Sequence, residues 1–577
     1  MIRNRKFLLV LVALLVAVMA IPAGAQDALE DVAITATFGD GPSTFSPVFC
    51  TDTACADIVG YLNVGLVGVD EESQTIQPGL PDAFAEDWEV SEDNLVYTLT
   101  LREDYTWSDG TAMTANDVLY NWELMNDEAV GHPDAFVLDE IASVEVIDDF
   151  TIVFTMNSPA CSALNFIGGV PPVPAHIYAN YSAEELSSAE ELNTQPSVTS
   201  GPFIFGRYAA GEIVSLIADP EYVDAPEEGV QLLGFIQKVL TDQPVILEEL
   251  ISPSPETVNF FEGVPATQQD RIREAEGMQV FEYPGNSWDY MGFNLADADN
   301  PQPALDENGE RVDQGINKYF TDKMVRHAIG HAVDVDDIIE GALFGNGTRM
   351  AAQLTPSSWA HDSELAPRSF DQELAAELLD EAGWVLNEDG IRVCEDCLYA
   401  VEVDESFNGE PFEFTLFTNA GNERREAIGT IIQDQLADLG ITVDFQTIEF
   451  NTLLDIMDAQ TFDAFILGWR AGYPDDPNTI QLFGAEADVP ASGFNFTSFY
   501  NEEYFELEEA ANSVAGCDQE ERAAIYAEMQ SIMYDEMPYL WLFSQNGMYA
   551  ANDNVNGFAP FPNNIDWNLT QWSVAVE

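Results

Sequence analysis

Between Ile428 and Trp469 the hydrophobic period of the chain switches repeatedly, and that alternation restricts the fold more than any other feature. Ile428, Ile431, Ile432, Leu436 and Leu439 recur at helical spacing and stop at Gly440. Residues 441–445 then alternate as a strand, and Leu453, Leu454, Ile456 and Met457 mark a second helix. Residues 462–469 form a mostly apolar run of the kind found in strands covered on both faces. Helix, strand, helix, strand predicts a sheet with crossover connections, and ligands gather beyond the carboxyl ends of such strands. Gly468 and the residues after it are therefore a candidate site.

The remainder of the chain fits the same α/β class. Residues 32–38 alternate as a strand, and two β-rich runs around the polar turn 91–94 predict a hairpin. Thr114 opens a helix through Val118, Tyr120, Leu124 and Met125. Asp322 caps another, with Met324, Val325, Ala328, Ile329 and Ala332 on one stripe, and Asp371 a third that ends at Gly383. At 577 residues the chain exceeds what one core serves, so two or three lobes are expected.

The N-terminus predicts export. Arg3, Arg5 and Lys6 precede an apolar run from Phe7 to Ala20, and Ala23-Gly24-Ala25 supplies the small residues a signal peptidase requires. Residues 1–25 are thus expected to be a signal peptide, leaving a soluble periplasmic or otherwise extracytoplasmic protein. The first cysteine is Cys50, so no lipobox is encoded. In an exported chain the six cysteines predict disulfides. Cys394 with Cys397 reads as a local bridge, since a zinc ribbon needs a second such pair. Cys50 and Cys55 are close enough to join, and the pairing of Cys161 and Cys517 stays open.

With 102 acidic and 19 basic residues the net charge is −83, which disfavours nucleic acid and anionic membrane surfaces as partners. His327 and His331 stand four apart on one predicted helix. A zinc peptidase would place Glu at 328, which is Ala here, so a structural helix face is expected, with no metal or other cofactor. No nucleophile elbow, phosphate loop or dinucleotide fingerprint occurs in the sequence.

An ordered set of motifs carries a resemblance. Pro78-Gly-Leu-Pro-Asp-Ala-Phe-Ala-Glu-Asp-Trp88 is followed by Tyr97-Thr-Leu-Thr-Leu-Arg102, Trp107-Ser-Asp-Gly-Thr111 and Thr114-Ala-Asn-Asp-Val118. Then come Thr199-Ser-Gly-Pro-Phe203, Tyr290-Met-Gly-Phe-Asn294, Asp322-Lys-Met-Val-Arg326, Glu381-Ala-Gly-Trp384 and Gly468-Trp469 with Tyr473-Pro-Asp475. Together they resemble the family 5 extracellular solute-binding proteins, the dipeptide and oligopeptide class serving ABC importers.

The resemblance implies a bilobal periplasmic-binding-protein clamshell of type II, with an extra subdomain in the first lobe. Residues 26–65, 197–289 and 546–577 would form the first lobe, 66–196 the subdomain and 290–545 the second lobe. It further implies a monomeric, non-enzymatic protein that closes on a peptide or similar solute and delivers it to a permease and its ATPase subunits. A carbohydrate or other organic solute is the alternative cargo. A receptor-coupled sensor and a secreted carboxylate-based hydrolase are more distant readings.

In peptide-binding relatives an Asp after the Gly-Trp pair grips the ligand ammonium, and Gly472 stands at that position here. Asp475 or Asp476 would have to substitute. Trp469 reads as a stacking wall or as lobe core. Arg470 reads as a guanidinium for a ligand carboxylate or hydroxyl, or as half of a surface ion pair. Tyr290 and Asn294, near the implied hinge, and Asn259, Phe260 and Phe261, in an implied cleft-lining loop, read equally as contact or packing residues.

Overall fold

The computed structural model describes residues 31–575 apart from 38–40, 51–52, 133–139, 227–228, 241–242, 253, 255 and 491–492. The expected signal peptide, 1–25, lies outside the described residues. The chain separates into two compact units, 1–282 with 548–577 and 283–547. It passes between them inside two strands, Met278–Phe293 and Tyr539–Asn552. The boundaries expected at 289/290 and 545/546 also fall within these strands.

The first unit holds two four-stranded sheets. One runs in the order Val32–Thr37, Gly234–Val239, Ile213–Ala218, Phe203–Ala209, and only its first pair is parallel. The other is antiparallel, in the order Ala85–Val90, Val96–Leu101, Thr151–Met156, Ile141–Asp148. Its inner face follows from period-two patterning: Tyr97, Leu99 and Leu101 are buried with Ile152, Phe154 and Met156. The helix Ala115–Met125 closes this core. Asp117 accepts the Thr114 N–H at 2.8 Å, satisfying a group the helix start leaves open.

The second unit is built on a mixed sheet in the order Tyr539–Asn552, Met278–Phe293, Ala464–Arg470, Glu413–Asn419, Thr442–Ile448. The last three strands are mutually parallel, and Met278–Phe293 runs antiparallel to Ala464–Arg470. This central position explains the apolar run: Ala464, Phe465, Ile466 and Leu467 are all buried. The expected crossover helices are Glu423–Ala437 and Phe450–Asp458. Gly440 ends the first crossover at φ +81°, where a Cβ would approach the Gly390 carbonyl oxygen to 2.5 Å. Asp322 and Asp371 cap their helices through the N–H groups of Met324 and Leu374.

Cys394–Cys397 and Cys50–Cys55 are disulfides. His327 and His331 spend ring nitrogens on the carbonyl oxygens of Asp535 and Ser369, at 2.6 and 2.8 Å. No helix among the described residues is long and apolar enough to cross a membrane.

Candidate functional site

The carboxyl end of Ala464–Arg470 lies within the second unit, and strand alternation sorts its residues onto two faces. Trp469 pairs with Trp288 and Leu467 with Tyr290, so these four share the face over the aromatic core. Gly468 pairs with Asp289 and Arg470 with Ser287, which puts these four on the opposite face. Trp469 and Arg470 therefore project in opposite directions, a separation that their adjacency in sequence conceals.

On the first face Trp469 is half-buried. Its ring lies parallel to Phe496 at 6.4 Å and edge-on to Phe494 at 5.7 Å, and Phe494 is itself exposed. The inner edge of Trp469 faces the Tyr290 and Tyr539 hydroxyls, while its outer part and Phe494 offer an apolar surface.

On the second face a fully buried carboxylate is held by two adjacent arginines. Arg424 Nε reaches Asp289 Oδ2 at 2.8 Å, and Arg425 Nε reaches Oδ1 at 3.0 Å. Arg425 Nη1 also donates to Asn419 Oδ1 at 2.9 Å. Gly468 makes this arrangement possible. A Cβ there would lie 2.6 Å from the Trp288 carbonyl oxygen, 2.7 Å from Asp289 Oδ1 and 2.8 Å from Arg425 Nη2. Arg470 is exposed and has neither ion pair nor hydrogen bond among the described residues.

The loop beyond the strand is anchored rather than open. Asp475 Oδ2 accepts the Ser358 hydroxyl at 2.6 Å and the Trp359 N–H at 3.1 Å. Close packing around the carboxyl raises its pKa to about 6. The loop residue is only partly covered by area, but its carboxyl Oδ2 is already engaged by Ser358 and Trp359. Gly472 is exposed, and a Cβ on it meets only the Pro474 carbonyl oxygen, at an ordinary 3.5 Å.

Five other residues named from sequence have internal roles. Tyr290 is fully buried, stacked on Tyr539 at 3.9 Å. Asn294 is buried too; its amide donates to the Gln460 and Phe462 carbonyl oxygens and accepts the Ala296 N–H. In the first unit, Asn259 bridges a strand edge, accepting the Ile34 N–H and donating to the Val32 carbonyl. Phe260 and Phe261 are buried opposite Ala551 and Ala550, with Phe260 edge-on to Trp572 at 5.1 Å. In each case the motif meets a backbone or core demand of its own unit.

Sequence reasoning missed Asp289, Arg424 and Arg425. A signal existed: two of only 19 basic residues sit side by side in the first turn of a helix, where the helix dipole disfavours cations.

A sequence model of the bacterial extracellular solute-binding proteins, family 5 (middle), matches residues 80–490. The oligopeptide-binding protein AppA of Bacillus subtilis is 26% identical over 542 residues, covering 92% of this chain and 90% of AppA. The solved structure of Bacillus subtilis AppA in complex with a nonapeptide matches with a TM-score of 0.67 at 25% identity, over 94% of this chain and 99% of AppA. HbpA2 of Haemophilus parasuis matches in fold with a TM-score of 0.75 at 21% identity, over 94% and 99% of the two chains. The fold is accordingly the periplasmic-binding-protein fold expected from sequence, and the chain belongs to the bacterial extracellular solute-binding proteins, family 5.

Proposed function

We propose that the chain is the extracytoplasmic substrate-binding subunit of an ABC importer, taking up a peptide or similar small solute and releasing it unaltered to a permease and its ATPase. The observation that carries this reading is the likeness to AppA along 92% of the chain. The Gly468-to-Asp475 segment fits a binding role, with a half-exposed aromatic surface on one face and an unpaired guanidinium on the other. Export, solubility and a monomeric state complete the proposal.

Capture would be a population shift, in which solute favours a closed form over an open one. The direct test is mass spectrometry of whatever is released when the freshly purified protein is denatured. An intact peptide is the expected result. A solute that emerges cleaved, or turnover of a peptide panel by pure protein, overturns the binding reading in favour of an enzyme.

A second cargo is favoured by one observation. Gly472 replaces the acid that would hold an ammonium, while Trp469 and Phe494 present aromatic surface suited to a sugar face. Release of a carbohydrate in the same experiment would select this reading and exclude the peptide.

A further inference from the structure

We infer that Arg424, Arg425 and Arg470 form a subsite for a carboxylate on the bound solute, so that this protein anchors its cargo by an acid group rather than an amine. The inference rests on the solute-binding reading above and specifies the chemistry of that same strand end.

The first argument is charge. One buried carboxylate requires one guanidinium for neutrality, yet Asp289 has two, and Arg470 projects from the same sheet face two positions beyond Gly468. The four groups together carry two uncompensated positive charges, in a chain with 102 acidic residues. Carboxylates nearby in sequence do not restore the balance. Glu426 turns back to accept the Gly421 N–H, and Glu423 pairs with none of the three arginines among the described residues. By contrast, Arg271, Arg273 and Arg349 are each paired with a carboxylate.

The second argument is geometry. Asp289 fixes both Nε atoms of the arginine pair, and Asn419 fixes Arg425 Nη1. Arg424 Nη1 is left without a partner among the described residues, on a side chain 26% exposed. Arg425 packs against Gly468, and the Arg470 backbone lies two strand positions, about 7 Å, farther along the same sheet face, a span an arginine side chain can cover. Prefixed guanidinium forks suit planar carboxylate oxygens and lose little freedom on binding.

The third argument concerns the opposite anchor. Gly472 supplies no carboxylate to an ammonium, and Asp475 is occupied by Ser358 and Trp359.

The test compares tri- to pentapeptides as free acids and as C-terminal amides, with succinate and citrate as peptide-free probes, by calorimetry on the full chain. Arg470→Gln is the main variant, because an exposed and unpaired side chain is dispensable for folding; Arg470→Lys is its partial rescue. Free acids are expected to bind at least tenfold more tightly than amides, with Arg470→Gln abolishing the difference and added salt reducing it. Equal binding of acid and amide by the wild type overturns the subsite while leaving the peptide reading intact. Arg470→Gln binding the acids like wild type also overturns it. If no peptide binds but succinate or citrate does, with the same loss in Arg470→Gln, the peptide reading fails and the subsite stands. Binding of none of these probes overturns the subsite.

Discussion

Asp289 and Glu508 are both buried carboxylates in the second unit, and their surroundings could hardly differ more. Asp289 has no exposed side-chain area and receives charge-assisted bonds from Arg424 and Arg425. Glu508, on the helix Glu502–Asn512, is 1% exposed, and neither oxygen has a well-formed hydrogen bond among the described residues. Burial and the nearby Asp476 raise its pKa to about 8, against weaker opposing effects of the Thr479 N–H and the Arg522 guanidinium. One site fixes an ionised group and the cations around it. The other holds a carboxyl that sheds its charge. Burial alone therefore does not define a carboxylate's role; the donors that folding delivers to it do.

The largest effect expected from breaking this contrast is at Asp289. Asp289→Ala leaves two guanidinia without their shared acceptor and is expected to cost about 4 kcal/mol in denaturant unfolding. Loss below about 1 kcal/mol would show that the arginines are solvated rather than held.

Glu508 gives the next largest effect, through pH. Its folded pKa is raised above the ordinary 4.5, so the native state retains a proton that the unfolded chain gives up. The associated stability is fully present below about 4.5 and is lost as pH rises through about 8. Wild type is expected to lose on the order of 3 kcal/mol more than Glu508→Gln between pH 5 and pH 8, read by denaturant midpoints. Parallel pH profiles of the two proteins would refute the neutral-carboxyl description.

Gly468→Ala sharpens the Asp289 side of the comparison. Its Cβ would press on a backbone carbonyl as well as on the ion cluster. A loss of about 2 kcal/mol is expected, with weaker binding of any solute that depends on the arginine pair. The smallest stability effect belongs to Gly472→Asp, which adds a carboxylate where space is open. Unfolding should change by less than about 0.5 kcal/mol, while a peptide with a free amino terminus should bind more tightly. Unchanged or weaker binding in calorimetry would count against an ammonium position beside residue 472.

Much of the architecture was legible because it depends on local periodicity. The helix stops at Gly383 and Gly440, the capping at Thr114, Asp322 and Asp371, and the buried strand before Trp469 each reflect rules operating within a few residues. The site was only partly legible. Gly468, Trp469 and Arg470 could be placed at a strand end, but their sidedness depends on register against Ser287, Trp288 and Asp289. Asn259 and Asn294 looked like polar contact residues because their amides are consumed by backbone groups far away or out of view in sequence.

The sequence by itself determined the fold family, the alternation of helix and strand, and the absence of an acid at position 472. These follow from side-chain period, turn chemistry and ordered motifs, all of which are local. Only the tertiary structure decided that Asp289 meets Arg424 and Arg425 across more than 130 positions, that Asp475 is already occupied, and that Arg470 lacks a partner. Electrostatic pairing depends on distance in space, and one strand register is enough to make or cancel it.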